Sequence, residues 1–157
     1  MRGSYELRVT TYEAHASTET GTLSRALSAK IGFMARTDLP ANSPFQGLIV
    51  WQRSMVLAAQ VCQLTRNAPA RFRFNLAEQM NRSAISIPSN IAEGAGRHSR
   101  GEFRQHVGIA RGSLRELETQ LLLGVRVDAF SKADIAEPLL VAAEVGRMLS
   151  KVGSSLR

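Results

Sequence analysis

The feature that most constrains this chain is one long apolar seam. Phe103, Val107, Ala110, Leu114, Leu117, Leu121 and Gly124 follow one another at intervals of 4-3-4-3-4-3. Residues three and four apart share one face of an α-helix. About three heptads of this pattern give a helix that must bury one side along its whole length. Ser99-Arg-Gly-Glu102 stands immediately before it and reads as a capping box, in which the serine satisfies an orphan N–H and the glutamate reaches back to the cap.

A helix of this kind needs partners, and the sequence supplies three. Leu48, Trp51, Met55, Ala58, Cys62 and Thr65 form the seam of a first helix, which Pro69 ends. A second helix is expected from about Arg73 to Glu93, with Leu76, Met80, Ala84, Ile87 and Ile91 inward. Pro88 removes one backbone donor and predicts a kink near Ala84–Pro88. Gly94 is expected at the left-handed C′ position. After the seam helix, a short loop from Val127 to Phe130 leads to a second box-like start, Ser131-Lys-Ala-Asp134. The fourth helix carries Ile135, Leu139, Ala142 and Leu149 inward, with Pro138 in its second turn. No strand competes after residue 44. Four amphipathic helices with short loops predict an all-α fold, an antiparallel four-helix bundle.

Two helices are apolar on a second side. Val50, Leu57, Val61 and Leu64 add to the first helix, and Val141, Val145, Met148 and Val152 to the fourth. Together with the inward residues they cover an arc of roughly 200° on the first helix, wider than one core-facing stripe needs. These eight residues are therefore the candidate surface for a homo-oligomer, the partners being further copies of the same bundle; the alternative is a thick core with a few exposed aliphatics.

Residues 1–44 have a different character. They are rich in Ser, Thr, Ala and Gly, and Asp38-Leu-Pro-Ala-Asn-Ser-Pro44 reads as a linker. Met34 stands just before it and reads as the natural start, residues 1–33 being either a mis-assigned or vector-derived extension or a disordered arm. The bundle is expected over residues 45–157.

Composition narrows the function classes. The net charge is +7, and of 20 basic residues only Lys30, Lys132 and Lys151 are lysine. Such a chain favours polyanionic partners. Cys62 is the single cysteine, which excludes an intramolecular disulfide and a multi-cysteine zinc site and fits a reducing cytoplasm. The longest uncharged run free of proline and glycine, Ser54 to Thr65, holds 12 residues, whereas a membrane span needs about 20. No membrane association is expected.

Four strings carry a family likeness: Ile49-Val-Trp51-Gln, Ser86-Ile-Pro-Ser-Asn-Ile-Ala-Glu-Gly94, Ser99-Arg-Gly-Glu-Phe103 and Ala110-Arg-Gly-Ser-Leu-Arg-Glu-Leu-Glu-Thr-Gln120. In this order the chain resembles, over about residues 45–157, the four helix bundle protein family, first noticed as reading frames inside intervening sequences of large-subunit ribosomal RNA genes. A related branch is the accessory variability protein of diversity-generating retroelements. The resemblance implies a homopentameric ring. For the retroelement branch it also implies a basic surface that contacts RNA or DNA and a reverse transcriptase.

The residues themselves offer one strong constellation. Arg97, Arg100, Arg104, Arg111 and Arg115 fall within about 60° of one another if the helical phase extends back to Arg97. Such a row can track a phosphate backbone. The competing reading is a row neutralised by Glu118, Glu116 and Glu102. No aromatic row interleaves with it, so stacking of single-stranded bases is not indicated.

Other constellations are weaker. His98, Glu102 and His106 are spaced by four, but the outer pair is about 12 Å apart along the axis and cannot share one ion. None of the glutamates from Glu78 to Glu144 has a histidine three residues on, as a di-iron bundle site requires. Ser86 and Asn90 are expected to satisfy backbone groups near Pro88 or to bond to the third helix. Cys62 and Trp51 read as core or interface residues, and Gly94-Ala-Gly96 as a cap and tight turn. No catalytic residue, metal or cofactor is expected. The chain reads as a non-enzymatic accessory module contacting nucleic acid or a nucleic-acid enzyme, with a protein-interaction scaffold as the alternative.

Overall fold

A computed structural model describes residues 43–156. The expectations for residues 1–42, including the start at Met34, lie outside them. The described residues contain four long helices: α1 (Ile49–Arg66), α2 (Leu76–Ala95), α3 (Arg100–Arg126) and α4 (Lys132–Ser155). A 3-10 turn, Pro44–Gly47, precedes α1, and a single helical turn, Ala70–Arg73, joins α1 to α2. There is no strand among the described residues.

The helices close a ring in which α1 packs on α2 and α4, and α3 packs on α2 and α4. Every packed pair is antiparallel. Ser83, Ser86 and Asn90 of α2 meet Gln120, Ser113 and His106 of α3, so rising numbers on one helix meet falling numbers on the other. The same holds for Arg53 and Gln60 of α1 against Glu144 and Glu137 of α4. The predicted all-α bundle is the observed fold.

Local chemistry explains the helix ends. Ser131 and Asp134 form a complete capping box: Ser131 Oγ accepts from the Asp134 N–H at 3.2 Å, and the Asp134 carboxylate accepts from the Ser131 N–H at 2.8 Å. Ser99 Oγ accepts from the Glu102 N–H at 3.2 Å and donates to the Glu102 carboxylate at 2.7 Å. The C-terminus of α3 ends in a Schellman motif. Asp128 takes the left-handed position at φ 56°, its N–H donates to Val125 O at 3.2 Å, and the Ala129 N–H donates to Gly124 O at 2.8 Å.

Two expectations change. Helix α2 starts at Leu76, capped by Asn75, and not near Arg73. As expected, Pro88 lies inside α2, and it is buried. Ser89 Oγ donates to Ile85 O at 2.9 Å and Asn90 Nδ2 to Ser86 O at 2.8 Å, side-chain bonds added to the helix ladder one and two residues after the proline. Gly94 is not a left-handed cap. It lies inside α2, and no described glycine has a positive φ. Its missing side chain serves packing: a Cβ there would stand 2.7 Å from both His106 Cβ and Phe103 Cδ2 of α3.

The candidate oligomer surface is also corrected. Val50, Leu57, Val61, Val141 and Val145 are buried in this chain's own core, and Leu64, Met148 and Val152 are half-buried against it. Their side chains are spent inside one bundle. On α1 the buried residues are Val50, Ser54, Leu57, Ala58, Gln60, Val61 and Thr65, while Trp51 and Cys62 are half-buried and Met55 is exposed. Ala58 and Thr65 of the expected seam are thus inward, but the inner stripe runs through Val50, Leu57 and Val61 and includes polar residues. Ser54 Oγ donates to Val50 O at 2.6 Å, Thr65 Oγ1 to Asn81 Oδ1 at 2.9 Å and Gln60 Nε2 to Glu137 Oε1 at 3.1 Å, while Gln60 Oε1 is buried without a hydrogen-bond partner among the described residues.

Candidate nucleic-acid interface

Helix α3 carries its polar residues on two flanks of the apolar seam, and the flanks differ in chemistry. The flank toward α2 is a hydrogen-bonded ladder. Ser83 Oγ donates to Gln120 Oε1 at 2.6 Å, the Ser86 and Ser113 hydroxyls lie 2.9 Å apart, and Asn90 Oδ1 lies 3.4 Å from His106 Nδ1. Of the two roles foreseen for Ser86 and Asn90, the reach toward α3 is seen; within α2, Asn90 Nδ2 donates to Ser86 O and Oγ, not to Ala84 O, the carbonyl that the missing Pro88 N–H leaves free. The ladder consumes its own polar groups and fixes the register of α2 against α3.

The flank toward α4 is basic. Arg100, Arg104, Arg111 and Arg115 lie on it within about 60° of one another, and all four are exposed. Arg97 is not part of this row. Helix α3 begins at Arg100, so the helical phase does not extend back to Arg97, which sits in the α2–α3 connection and forms an ion pair with Glu93.

One carboxylate pairs with the row, at its Arg115 end. Arg115 Nη1 bonds Glu118 Oε2 at 2.5 Å. Glu102 is engaged by Ser99, whose side-chain hydrogen bond is the main cause holding its carboxyl below the ordinary range, with the Ser99 backbone, Arg97 and His98 adding to it. Glu116 accepts from Gln120 Nε2 at 3.0 Å. Arg104 and Arg111 form no ion pair among the described residues.

These two arginines border a cleft between α3 and α4 with a volume of about 160 Å³. Val107 and Gly108 of α3 and Ser150, Gly153 and Ser154 of α4 complete its lining. No carboxylate is among them. The α4 side of this site was not legible as function, because serines and glycines near a helix end carry no motif. Arg147 and Lys151 are also exposed on α4.

The remaining candidates disperse. His98 is exposed in the α2–α3 connection, Glu102 caps α3, and His106 is half-buried against α2, with Nε2 3.9 Å from Glu93 Oε1. Among the described residues no group of three His, Cys, Asp or Glu side chains is arranged to hold a metal ion. Cys62 lines an apolar groove between α1 and α2 with Phe45, Trp51, Met55, Ile85 and Pro88. Phe45 meets Trp51 edge-on at 5.2 Å. No described helix is long and apolar enough to cross a membrane.

Fold and surface together define a class: an all-α bundle of four long antiparallel helices with one arginine-rich face. The model of the 23S rRNA-intervening sequence protein family matches residues 46–151, and the chain belongs to that family. A crystal structure of a protein of unknown function from the S23 ribosomal protein family of Bacteroides thetaiotaomicron is similar, with a TM-score of 0.62 and 24% identity, covering 66% of this chain and 97% of that one. At that identity the likeness shows the fold. A comparison with curated proteins finds no match.

Proposed function

We propose that this chain is a basic, non-enzymatic accessory module of the cytoplasm that contacts nucleic acid, or an enzyme working on nucleic acid, through the α3–α4 face. One observation carries the reading: Arg104 and Arg111 are exposed, lack carboxylate partners among the described residues, and border a cleft that no acidic side chain lines. Guanidinium groups not already committed to carboxylates are the groups that bind phosphate oxygens in bidentate fashion. The family's connection with ribosomal RNA intervening sequences is consistent with an RNA or DNA partner. A reverse transcriptase encoded beside this gene, with a template repeat, would select the retroelement role.

Fluorescence anisotropy with labelled RNA and DNA oligonucleotides, at about 50 and 200 mM salt, tests the proposal. Binding is expected at the lower salt and weaker at the higher. The double variant Arg104→Ala/Arg111→Ala is expected to bind more weakly than the parent. No binding at low salt refutes the reading.

A second reading, a protein-interaction scaffold, is favoured by the apolar groove between α1 and α2, about 440 Å³ in volume. Exposed Met55 and Ile85 border it. Self-association, with the homopentamer that the resemblance implies as the expected count, would cover this groove instead of the eight aliphatics buried or half-buried inside the bundle. Light scattering decides it: a stable ring without nucleic-acid affinity supports the scaffold, and a monomer rejects it.

A further inference from the structure

We infer that the α3–α4 cleft is a seat for a single phosphate group of a nucleic-acid backbone, so that this face grips one phosphodiester and does not merely attract many. The inference rests on the proposed nucleic-acid contact and sharpens it to one place and one chemical group.

Size is the first argument. At about 160 Å³ the cleft is below the roughly 300–1,000 Å³ of pockets that enclose drug-sized ligands. It suits a compact group and not a base with its sugar. Donor chemistry is the second. Arg104 and Arg111 stand seven residues apart on α3, about 10 Å along the axis, with Val107 and Gly108 between them as the floor. Two cations thus approach the cleft from its two ends. The facing wall offers the hydroxyls of Ser150 and Ser154, which donate to Gly146 O and Ser150 O, each at 2.9 Å. A serine hydroxyl rotates to suit a new acceptor, so both can turn toward an anion. With no carboxylate in the lining, two positive charges, two hydroxyls and no negative charge surround the space.

Shape is the third argument. The two glycines keep the cleft open. A Cβ at Gly108 would meet nothing within 4 Å, and one at Gly153 would meet only Val107 Cγ1, at 3.6 Å. Neither glycine is needed for a positive φ, and neither is forced by a close helix approach, unlike Gly94. Their consequence here is access: the cleft floor and far wall carry no side chain that would exclude a tetrahedral anion.

The test changes shape and leaves charge alone. Gly108→Leu places an apolar side chain over the cleft floor, and Gly112→Leu places the same side chain on α3 in open space outside the lining. Leucine is a better helix former than glycine, so both variants of the full chain are expected to melt no lower than the parent. Affinity for a labelled oligonucleotide is read by anisotropy at fixed salt. Gly108→Leu is expected to weaken binding about tenfold, the scale of one lost charge-assisted phosphate contact, and Gly112→Leu to bind like the parent. If Arg104→Ala/Arg111→Ala weakens binding while Gly108→Leu binds like the parent, the phosphate seat is wrong and the charged-face reading stands. If the parent protein does not bind any oligonucleotide, both fail.

Discussion

Replacing Gly94 with alanine tests how closely α2 and α3 approach. In a generic helix the change is favourable, because alanine is preferred over glycine by up to about 1 kcal/mol. Here the new Cβ would stand 2.7 Å from His106 Cβ and 2.7 Å from Phe103 Cδ2. The phenylalanine ring can rotate aside. His106 Cβ cannot, since it is fixed to the α3 backbone, so the helices must separate by more than half an ångström to restore ordinary contact. That movement lengthens the Asn90–His106 approach, already 3.4 Å, beyond hydrogen-bonding range. Overpacking of a close contact costs about 1–3 kcal/mol, which outweighs a propensity gain reduced by Gly94's place in the last turn. A net loss of about 1–2 kcal/mol corresponds to a Tm lower by roughly 3–10 °C for a domain of this size. Thermal melts followed by circular dichroism measure it, with Gly108→Ala as the internal control. That glycine faces open space, so its substitution is expected to raise Tm. Equal rises for both variants would refute the close approach of α2 and α3.

Other perturbations address the helix ends. Asp128 holds the left-handed position of the α3 Schellman motif at φ 56°; Asp128→Gly is expected to stabilise the protein by about 0.5–1 kcal/mol in denaturant titrations, since glycine adopts that conformation without steric cost. Hydrogen bonds from the Ser131 side chain and then its backbone N–H hold the Asp134 carboxyl below its ordinary value. A depressed folded-state pKa contributes stability above the unfolded-state value, about 3.9, that is lost as pH falls through the lower folded value. Asp134→Asn is therefore expected to be less stable than the parent at pH 7, with the gap closing below about pH 4 in melts across that range. A gap independent of pH would contradict the capping role of the ionised carboxylate.

The fold was legible because its strongest signals are local. The α3 seam, the Ser99 and Ser131 caps and the spacing of α2 each follow from periodicity, and short connections leave antiparallel packing as the natural solution. The sequence misled where polar atoms are satisfied by neighbours it does not reveal. Ser54 and Gln60 look like surface residues on α1, yet both are buried, with Ser54 Oγ donating to Val50 O and Gln60 Nε2 to Glu137. With the inner stripe so disguised, Trp51 and Met55 took its place, and truly buried valines looked like an interface. Gly94 was misread for a related reason. A glycine near a helix end suggests a cap, yet its spacing from Ile87 and Ile91 places it on the core stripe, where a missing side chain permits close packing.

The arginine row was half legible. Periodicity put Arg100, Arg104, Arg111 and Arg115 on one flank. Of the carboxylates weighed against the row, Glu118 does pair with Arg115, three residues away on the same helix. Periodicity did not reveal that Ser150 and Ser154 of α4 face Arg104 and Arg111, because that depends on which helix packs beside α3, which no local pattern encodes.

The salt dependence of oligonucleotide binding is the most direct test of the central claim, that Arg104 and Arg111 of this face contact phosphate. Each neutralised phosphate of duplex DNA contributes about 0.9 to the slope of log affinity against log salt. Arg104→Ala/Arg111→Ala is therefore predicted to make that slope shallower by about 0.9, the value for the one phosphate that both arginines flank, with the melting temperature retained because both side chains are exposed. A slope equal to the parent's would contradict the claim, whatever the change in affinity at a single salt concentration.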